Sequence, residues 1–198
     1  GVVFVLAHGA GGSKRDPLLV ALAAELGRRG HGVARFDFAY REAGRKLPDR
    51  QPALLATYRS VLAHLRTLPG VRHLLVGGKS MGGRMATLLA AEAEPVSGVL
   101  ALGYPLHPAK RPEKLRDAHL PAIAVPALFL SGTRDPLCDL DLMRPRVAAM
   151  QRATLLELEQ GDHSLGVPKR ANRTRAEVIG WACDAAERVL VEPLLAAR

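Results

Sequence analysis

Apolar positions in this chain come in short blocks separated by glycine and proline, and between the blocks they recur at helical spacing. Val2 to Ala7 is an apolar run rich in β-branched residues that ends at His8-Gly9, and Leu18, Leu22 and Leu26 follow three to four residues apart, which predicts a strand and then a helix. Gly30-His31-Gly32 breaks that helix. Val33 to Phe38 reads as a second strand, and Leu54, Leu55, Tyr58, Leu62 and Leu65 mark a second helix that stops at Pro69-Gly70. Arg72 to Gly77 predicts a third strand running into Gly78-Lys79-Ser80-Met81-Gly82-Gly83, after which Met85, Leu88 and Leu89 carry a third helix. Val96 to Leu102 and Ala127 to Ser131 are further apolar strands. Leu155 to Leu158 is shorter and alternates with Glu157 and Glu159 as an edge strand would, and Val178, Trp181, Ala185 and Val189 face one side of a closing helix.

Repeated strand-helix units of this length imply parallel strands joined by right-handed helical crossovers. The expected fold class is therefore α/β, a doubly wound, mostly parallel sheet with helices on both faces. No internal repeat, low-complexity tract or shift of composition divides the chain, so residues 1–198 are expected to form a single domain. The longest irregular stretch, Tyr104 to Pro126, carries five prolines and one short helix expected around Glu113 to Ala118. It is too short for a separate lid domain.

Composition narrows the picture in three ways. With 198 residues, 48% hydrophobic and 24% charged, the chain can bury a sizeable core, which excludes a disulfide-stapled miniprotein, disorder, collagen and coiled coil. No apolar run approaches the roughly 20 residues of a spanning helix, so no membrane association is expected. The opening Gly1 to Leu6 lacks the basic flank of a signal peptide, and Cys138 and Cys183 match no metal spacing, so they are read as unpaired thiols in a reducing, cytoplasmic setting. Lys+Arg 28 against Asp+Glu 19 leaves a net charge of +9. That balance raises the question of nucleic acid, but the basic residues are dispersed, with no run denser than Lys169-Arg170 or Arg28-Arg29, and no nucleic-acid partner is expected.

In open α/β sheets ligands sit at the carboxyl ends of the strands, and three of those turns carry reactive side chains. Gly78-Lys79-Ser80-Met81-Gly82 fits the G-x-S-x-G elbow in its strand-turn-helix context. A serine there takes a strained backbone at a helix N-terminus, where the Met81 N–H faces a developing oxyanion. Asp135, in Thr133-Arg134-Asp135-Pro136, follows the strand ending at Ser131-Gly132, and His163, in Gly161-Asp162-His163-Ser164, follows the last strand. Each motif alone has an ordinary reading as a tight turn or a surface loop. Together they give the order Ser, Asp, His, in which His163 takes the proton of Ser80 and Asp135 orients and stabilises the imidazolium. The first turn, His8-Gly9-Ala10-Gly11-Gly12, offers a second oxyanion donor at the Ala10 N–H.

Rival assignments are weaker. Asp162 adjoins His163, but immediate neighbours rarely point the same way, and Asp139 and Asp141 stand at a helix start where N-caps belong. His8 is expected to hold the first turn, and His31, His64, His73 and His119 are read as solvated. No pair of residues shows metal-ligand spacing, so neither metal nor cofactor is expected. Gly78-Lys79-Ser80 superficially matches a phosphate loop, but the first glycine of that motif would fall at His73–Leu74 and is absent. Tyr40, Arg45, Lys79, Tyr104 and His107 fall in turns at the same edge, and are the candidate substrate-binding residues, with Arg45 or Lys79 able to hold a substrate carboxylate.

The strings Gly77-Gly78-Lys79-Ser80-Met81-Gly82-Gly83-Arg84, Gly103-Tyr104-Pro105-Leu106-His107-Pro108 and Ser131-Gly132-Thr133-Arg134-Asp135-Pro136 resemble the KANL3/Tex30-type branch of the α/β-hydrolase superfamily, close to dienelactone-hydrolase-like proteins. The resemblance spans His8-Gly9 to Gly161-Asp162-His163. It implies a minimal α/β-hydrolase fold without a lid, and Ser80, Asp135 and His163 as nucleophile, acid and base. Two departures stand out: the first strands of the superfamily are missing before Val2, and dienelactone hydrolases proper carry cysteine where this chain has Ser80. The expectation is a serine hydrolase of a small ester or thioester with a small-molecule acyl substrate. The alternative is a non-catalytic hydrolase-fold scaffold that docks an acidic partner through a basic surface.

Overall fold

A computed structural model describes residues 1–196 of the chain; Ala197 and Arg198, which the single-domain expectation includes, lie outside the described residues. Six parallel strands form one sheet: β1 (Val2–Ala7), β2 (Gly32–Phe36), β3 (His73–Lys79), β4 (Gly98–Leu102), β5 (Ala127–Gly132) and β6 (Ala153–Leu158), in the order β2-β1-β3-β4-β5-β6. The four inner strands are almost wholly buried, as their continuous apolar runs require, whereas edge strands β2 and β6 are half-exposed.

The helices divide between the two faces. Helix α1 (Pro17–Arg28) buries Leu18, Leu19, Leu22 and Leu26, and packs with α6 (Arg175–Ala186) over one face. Asp16 caps α1, its carboxylate accepting the Leu18 N–H at 2.9 Å, with Pro17 opening the first turn. Thr174 and Glu177 form a capping box at the start of α6. On the other face lie α3 (Gln51–Arg66), α4 (Met81–Ala91) and α5 (Leu140–Ala148), whose apolar sides join Val5, Val76, Val99 and Phe129 of the sheet. The short α2 (Ala39–Glu42) precedes α3. Val178 and Ala185 of α6 are buried and Trp181 packs at the margin of that core, while the chain continues through a π turn, Glu187–Val191, into α7 (Glu192–Ala196).

The structure corrects the expected boundaries at a few places. β2 ends at Phe36, two residues early, because the chain turns at Asp37 into α2, and β4 starts at Gly98. The helix expected around Glu113 to Ala118 is not formed; a 3-10 turn at Leu120–Ala122 stands in that stretch instead. The backbone of Arg116 is committed elsewhere, its N–H to the Leu106 carbonyl at 2.8 Å and its carbonyl to the Tyr104 hydroxyl at 2.5 Å. Among the described residues no helix is long and apolar enough to cross a membrane.

This topology fixes where a site can form. The chain runs from β1 outward to β2, then returns to place β3 on the other side of β1, so the strand order reverses between β1 and β3. The carboxyl ends of those two strands flank the switch point at which open α/β sheets hold their ligands.

Candidate active site

Ser80 stands where β3 turns into α4, with φ 52° and ψ −118°. A β-carbon-bearing residue pays for that conformation in strain, and the surroundings must hold it. They do so through main-chain contacts: the Ser80 N–H reaches the Leu102 carbonyl at 2.9 Å, and the Ser80 carbonyl accepts the Arg84 N–H at 2.9 Å. Gly78 and Gly82 are required on either side, because a Cβ at either position would collide with the Ala7 carbonyl of β1. The elbow is thus wedged against the strand that leads into the Gly9–Gly12 turn.

The three candidate residues from three separate strand ends meet here. The Ser80 hydroxyl lies 2.9 Å from His163 Nε2, and His163 Nδ1 lies 2.8 Å from Asp135 Oδ2. A proton on Nδ1 donated to the carboxylate leaves the Nε2 lone pair facing the hydroxyl. The Asp135 side chain is fully buried and its other oxygen accepts the Leu137 N–H at 2.8 Å, so the carboxylate is fixed at both oxygens. The Met81 N–H is among the first of α4, which have no partner within the helix, and Ala10 lines the same cleft as Ser80.

The structure also decides between rival carboxylates. Asp162 is turned back into its own loop: Oδ1 accepts the Ser164 and Gly166 N–H groups at 2.8 Å each, and its own N–H reaches the Gly166 carbonyl. It shapes the turn that presents His163. Asp139 caps α5 through the Asp141 N–H at 2.9 Å. Burial pushes the pKa of the Cys138 and Cys183 thiols up to about 12, so both stay protonated and neither is a ready nucleophile. Among the described residues no group of three or more His, Cys, Asp or Glu side chains is arranged to hold a metal.

The candidate substrate-binding residues require correction. Tyr40 and Tyr104 are fully buried, and His107 nearly so. The Tyr40 hydroxyl donates to the Ala10 carbonyl at 2.6 Å, bracing the turn that carries the Ala10 N–H from beneath. Tyr104 is bound to Arg116 as described above. His107 accepts the Asp139 N–H on Nε2 at 3.0 Å and donates from Nδ1 to the Pro108 carbonyl at 2.9 Å, which ties down the loop after Asp135. Arg45 is exposed and engaged with Asp49 at 2.5 Å. Lys79 alone of the five lines the cleft at Ser80, and it is already paired with Asp16 at 2.9 Å. Aromatic and histidine side chains near a site look alike in sequence whether they face a ligand or a carbonyl, which is why Tyr40, Tyr104 and His107 read as site residues.

Two of the histidines read as solvated, His31 and His119, prove structural. His8 is buried as expected of a turn-holding residue, donating to the Gly9 carbonyl at 2.7 Å and accepting the Phe38 N–H at 3.2 Å, and burial holds its pKa below the ordinary value. His31 bonds Glu187 at 2.9 Å, and His119 bonds Thr87 at 2.9 Å, where burial and then the Arg84 charge lower its pKa to about 4. His64 is exposed and His73 half-buried. Gly103 is a supporting residue that the sequence reading missed: it sits at φ 55°, and a Cβ there would run into the His163 carbonyl. The Gly-Tyr-Pro that follows β4 was its only signal.

Around Ser80 the cleft has a volume of about 360 Å³, walled by the Gly9–Gly12 turn, Asp16, Lys79, His163 and Ser164. A second cleft of about 500 Å³ opens on the other side of Asp135, beside His107 and Asp139, without reaching Ser80 or His163.

A family model described as an alpha/beta hydrolase domain matches residues 1–191. Solved structures with the same fold include Est1E from Butyrivibrio proteoclasticus with ferulic acid bound, at TM-score 0.75 and 16% identity over 96% of this chain and 90% of that one. XC6422 from Xanthomonas campestris, described as an a/b serine hydrolase without lid, aligns at TM-score 0.75 and 19% identity, covering 96% of this chain and 83% of that one. Dienelactone hydrolase from Anabaena variabilis aligns at TM-score 0.73 and 23% identity, covering 94% and 84%.

Proposed function

The chain belongs to the alpha/beta hydrolase family, and on that premise we propose that it is a serine hydrolase that cleaves small esters or thioesters through an acyl-enzyme on Ser80. The observation that carries the reading is the continuous chain of contacts from Ser80 Oγ through His163 to the buried Asp135, each link 2.9 Å or shorter, on a serine held at positive φ. Within the family we place it in the KANL3/Tex30-type branch, as a single domain, on the motifs around Ser80, Tyr104 and Asp135. The two free, buried cysteines support a cytoplasmic setting.

Ser80 Oγ attacks the carbonyl carbon while its proton passes to His163 Nε2, and Asp135 stabilises the imidazolium that results. The oxyanion forms between the backbone N–H groups of Ala10 and Met81, each such donor being worth about 10²–10³ in rate. As the tetrahedral intermediate collapses, His163 returns the proton to the departing alcohol or thiol, leaving the acyl group on Ser80. Water then gives a proton to His163 and attacks the acyl carbon. Ser80 takes that proton back as the carboxylic acid departs.

The test is covalent labelling by a fluorophosphonate, which reports an activated serine without any choice of substrate. Wild type is expected to label and Ser80→Ala is not, with turnover of short acyl esters falling by at least about 10⁴-fold in the variant. A folded wild type that does not label would overturn the reading and turn attention to the scaffold alternative.

A further inference from the structure

We infer that the cleft beside Ser80 selects small esters carrying a free hydroxyl close to the scissile carbonyl, and that the Lys79–Asp16 ion pair reads this hydroxyl. The inference rests on the serine-hydrolase reading and specifies its substrate class.

Binding sites for small molecules are lined mostly by apolar and aromatic side chains. This cleft is not: Ala10 is the one wholly apolar side chain in walls otherwise made of glycine backbone, serine hydroxyls, His163 and the two charges. An alkyl chain on the acyl or the alcohol side finds only the Ala10 methyl group to pack on. The two charges are, by contrast, held firmly. Lys79 adjoins the nucleophile, its ammonium 2.9 Å from Asp16 Oδ2, and the other carboxylate oxygen is fixed at 2.9 Å by the Leu18 N–H at the start of α1. Both side chains are largely buried, at 17% and 9% exposure, so neither swings away.

The pair leaves a defined unmet capacity. An ammonium has three donors, of which Asp16 takes one, and the Oδ2 atom keeps a lone pair for a further donor. A hydroxyl satisfies both at once, accepting from Lys79 and donating to Asp16. A substrate carboxylate would meet Lys79 but also the negative charge of Asp16, which revises the expectation that Lys79 holds a carboxylate. An alkyl group would strip water from the ion pair and return no hydrogen bond.

Two isosteric pairs of esters test this with either half of the substrate: ethyl lactate against ethyl isobutyrate, and 2-hydroxyethyl acetate against propyl acetate. Wild type is expected to favour the hydroxylated member of at least one pair by about tenfold or more in kcat/KM, the scale of a hydrogen bond to a charged group. In Lys79→Met and in Asp16→Asn, which keeps an N-cap acceptor for α1, that ratio is expected to fall towards one. Because the readout is a ratio within each pair, a general loss of activity cancels. Fluorophosphonate labelling of Ser80 in the same samples separates the two levels. A labelled enzyme that prefers the apolar members, that turns over neither pair, or whose preference survives both substitutions overturns this inference alone. An unlabelled wild type overturns the hydrolase reading and this inference with it.

Discussion

At the carboxyl end of the sheet, polar side chains are held by backbone groups; around the outer helices they are held by one another. His8, Tyr40, His107, Asp135 and Asp162 each bind at least one main-chain N–H or carbonyl, and all but Asp162 are buried. On the rim, Arg29, which caps the C-terminus of α1, reaches Glu25, Asp184 and Glu187 at 2.6–2.7 Å, joining α1 to α6 and the π turn. Arg59 and Arg66 share Glu94, and Arg144 joins Asp141 to Glu157. A backbone partner inside the fold moves only if the fold moves, so it sets position. Ion pairs between long, half-solvated side chains gain little after screening and lost side-chain entropy. These paired arginines stitch outer elements together, and position is secured by backbone partners at the carboxyl end of the sheet.

That contrast breaks most visibly at Gly103. Gly103→Ala places a Cβ against the His163 carbonyl at a backbone conformation alanine resists. Turnover is expected to fall by about 10²-fold, as a displacement of the imidazole near 1 Å would cause, with a lower melting temperature. Kinetics normalised to folded protein check it; a variant with wild-type turnover per folded molecule would show that Gly103 does not position His163.

Tyr40→Phe is a finer probe, since it removes only the hydroxyl under Ala10. The Ala10 N–H, the proposed oxyanion donor, stays but is held more loosely, so kcat is expected to drop by about tenfold, less than deletion of a donor, with KM little changed. Equal losses in kcat and stability across temperatures would reduce Tyr40 to a core residue.

The smallest effect belongs to the rim. Arg29→Ala, far from Ser80, is expected to cost about 1 kcal/mol or less in urea unfolding at low salt, with the difference shrinking as ionic strength rises and turnover unaffected. A change in activity there would erase the division between the two regions.

Much of the architecture was legible because it is local. Apolar runs bounded by Gly70 or Gly103 can bury both faces only as inner parallel strands, and Leu54, Leu55, Tyr58, Leu62 and Leu65 can share one face only in a helix. Legibility failed where distant backbone groups intervened. The residues from Glu113 to Ala118 favour a helix by themselves, but the Arg116 main chain binds Leu106 and Tyr104, which a helix would forbid. Helix α2, at four residues, is too short to show a period.

By itself the sequence determined the alternation of strand and helix, the elbow around Ser80, and the arrival of one serine, one aspartate and one histidine at three strand ends. Each of these depends on neighbours within a turn or two, where periodicity and glycine placement carry the information. Tertiary structure alone decided that Tyr40, Tyr104 and His107 point into the protein, and that Lys79 gives one of its donors to Asp16. Those choices are made by partners 12 to 63 residues away. A residue's own pattern reports how deeply it is buried, but only the packing of the sheet against its helices reports what it is buried against.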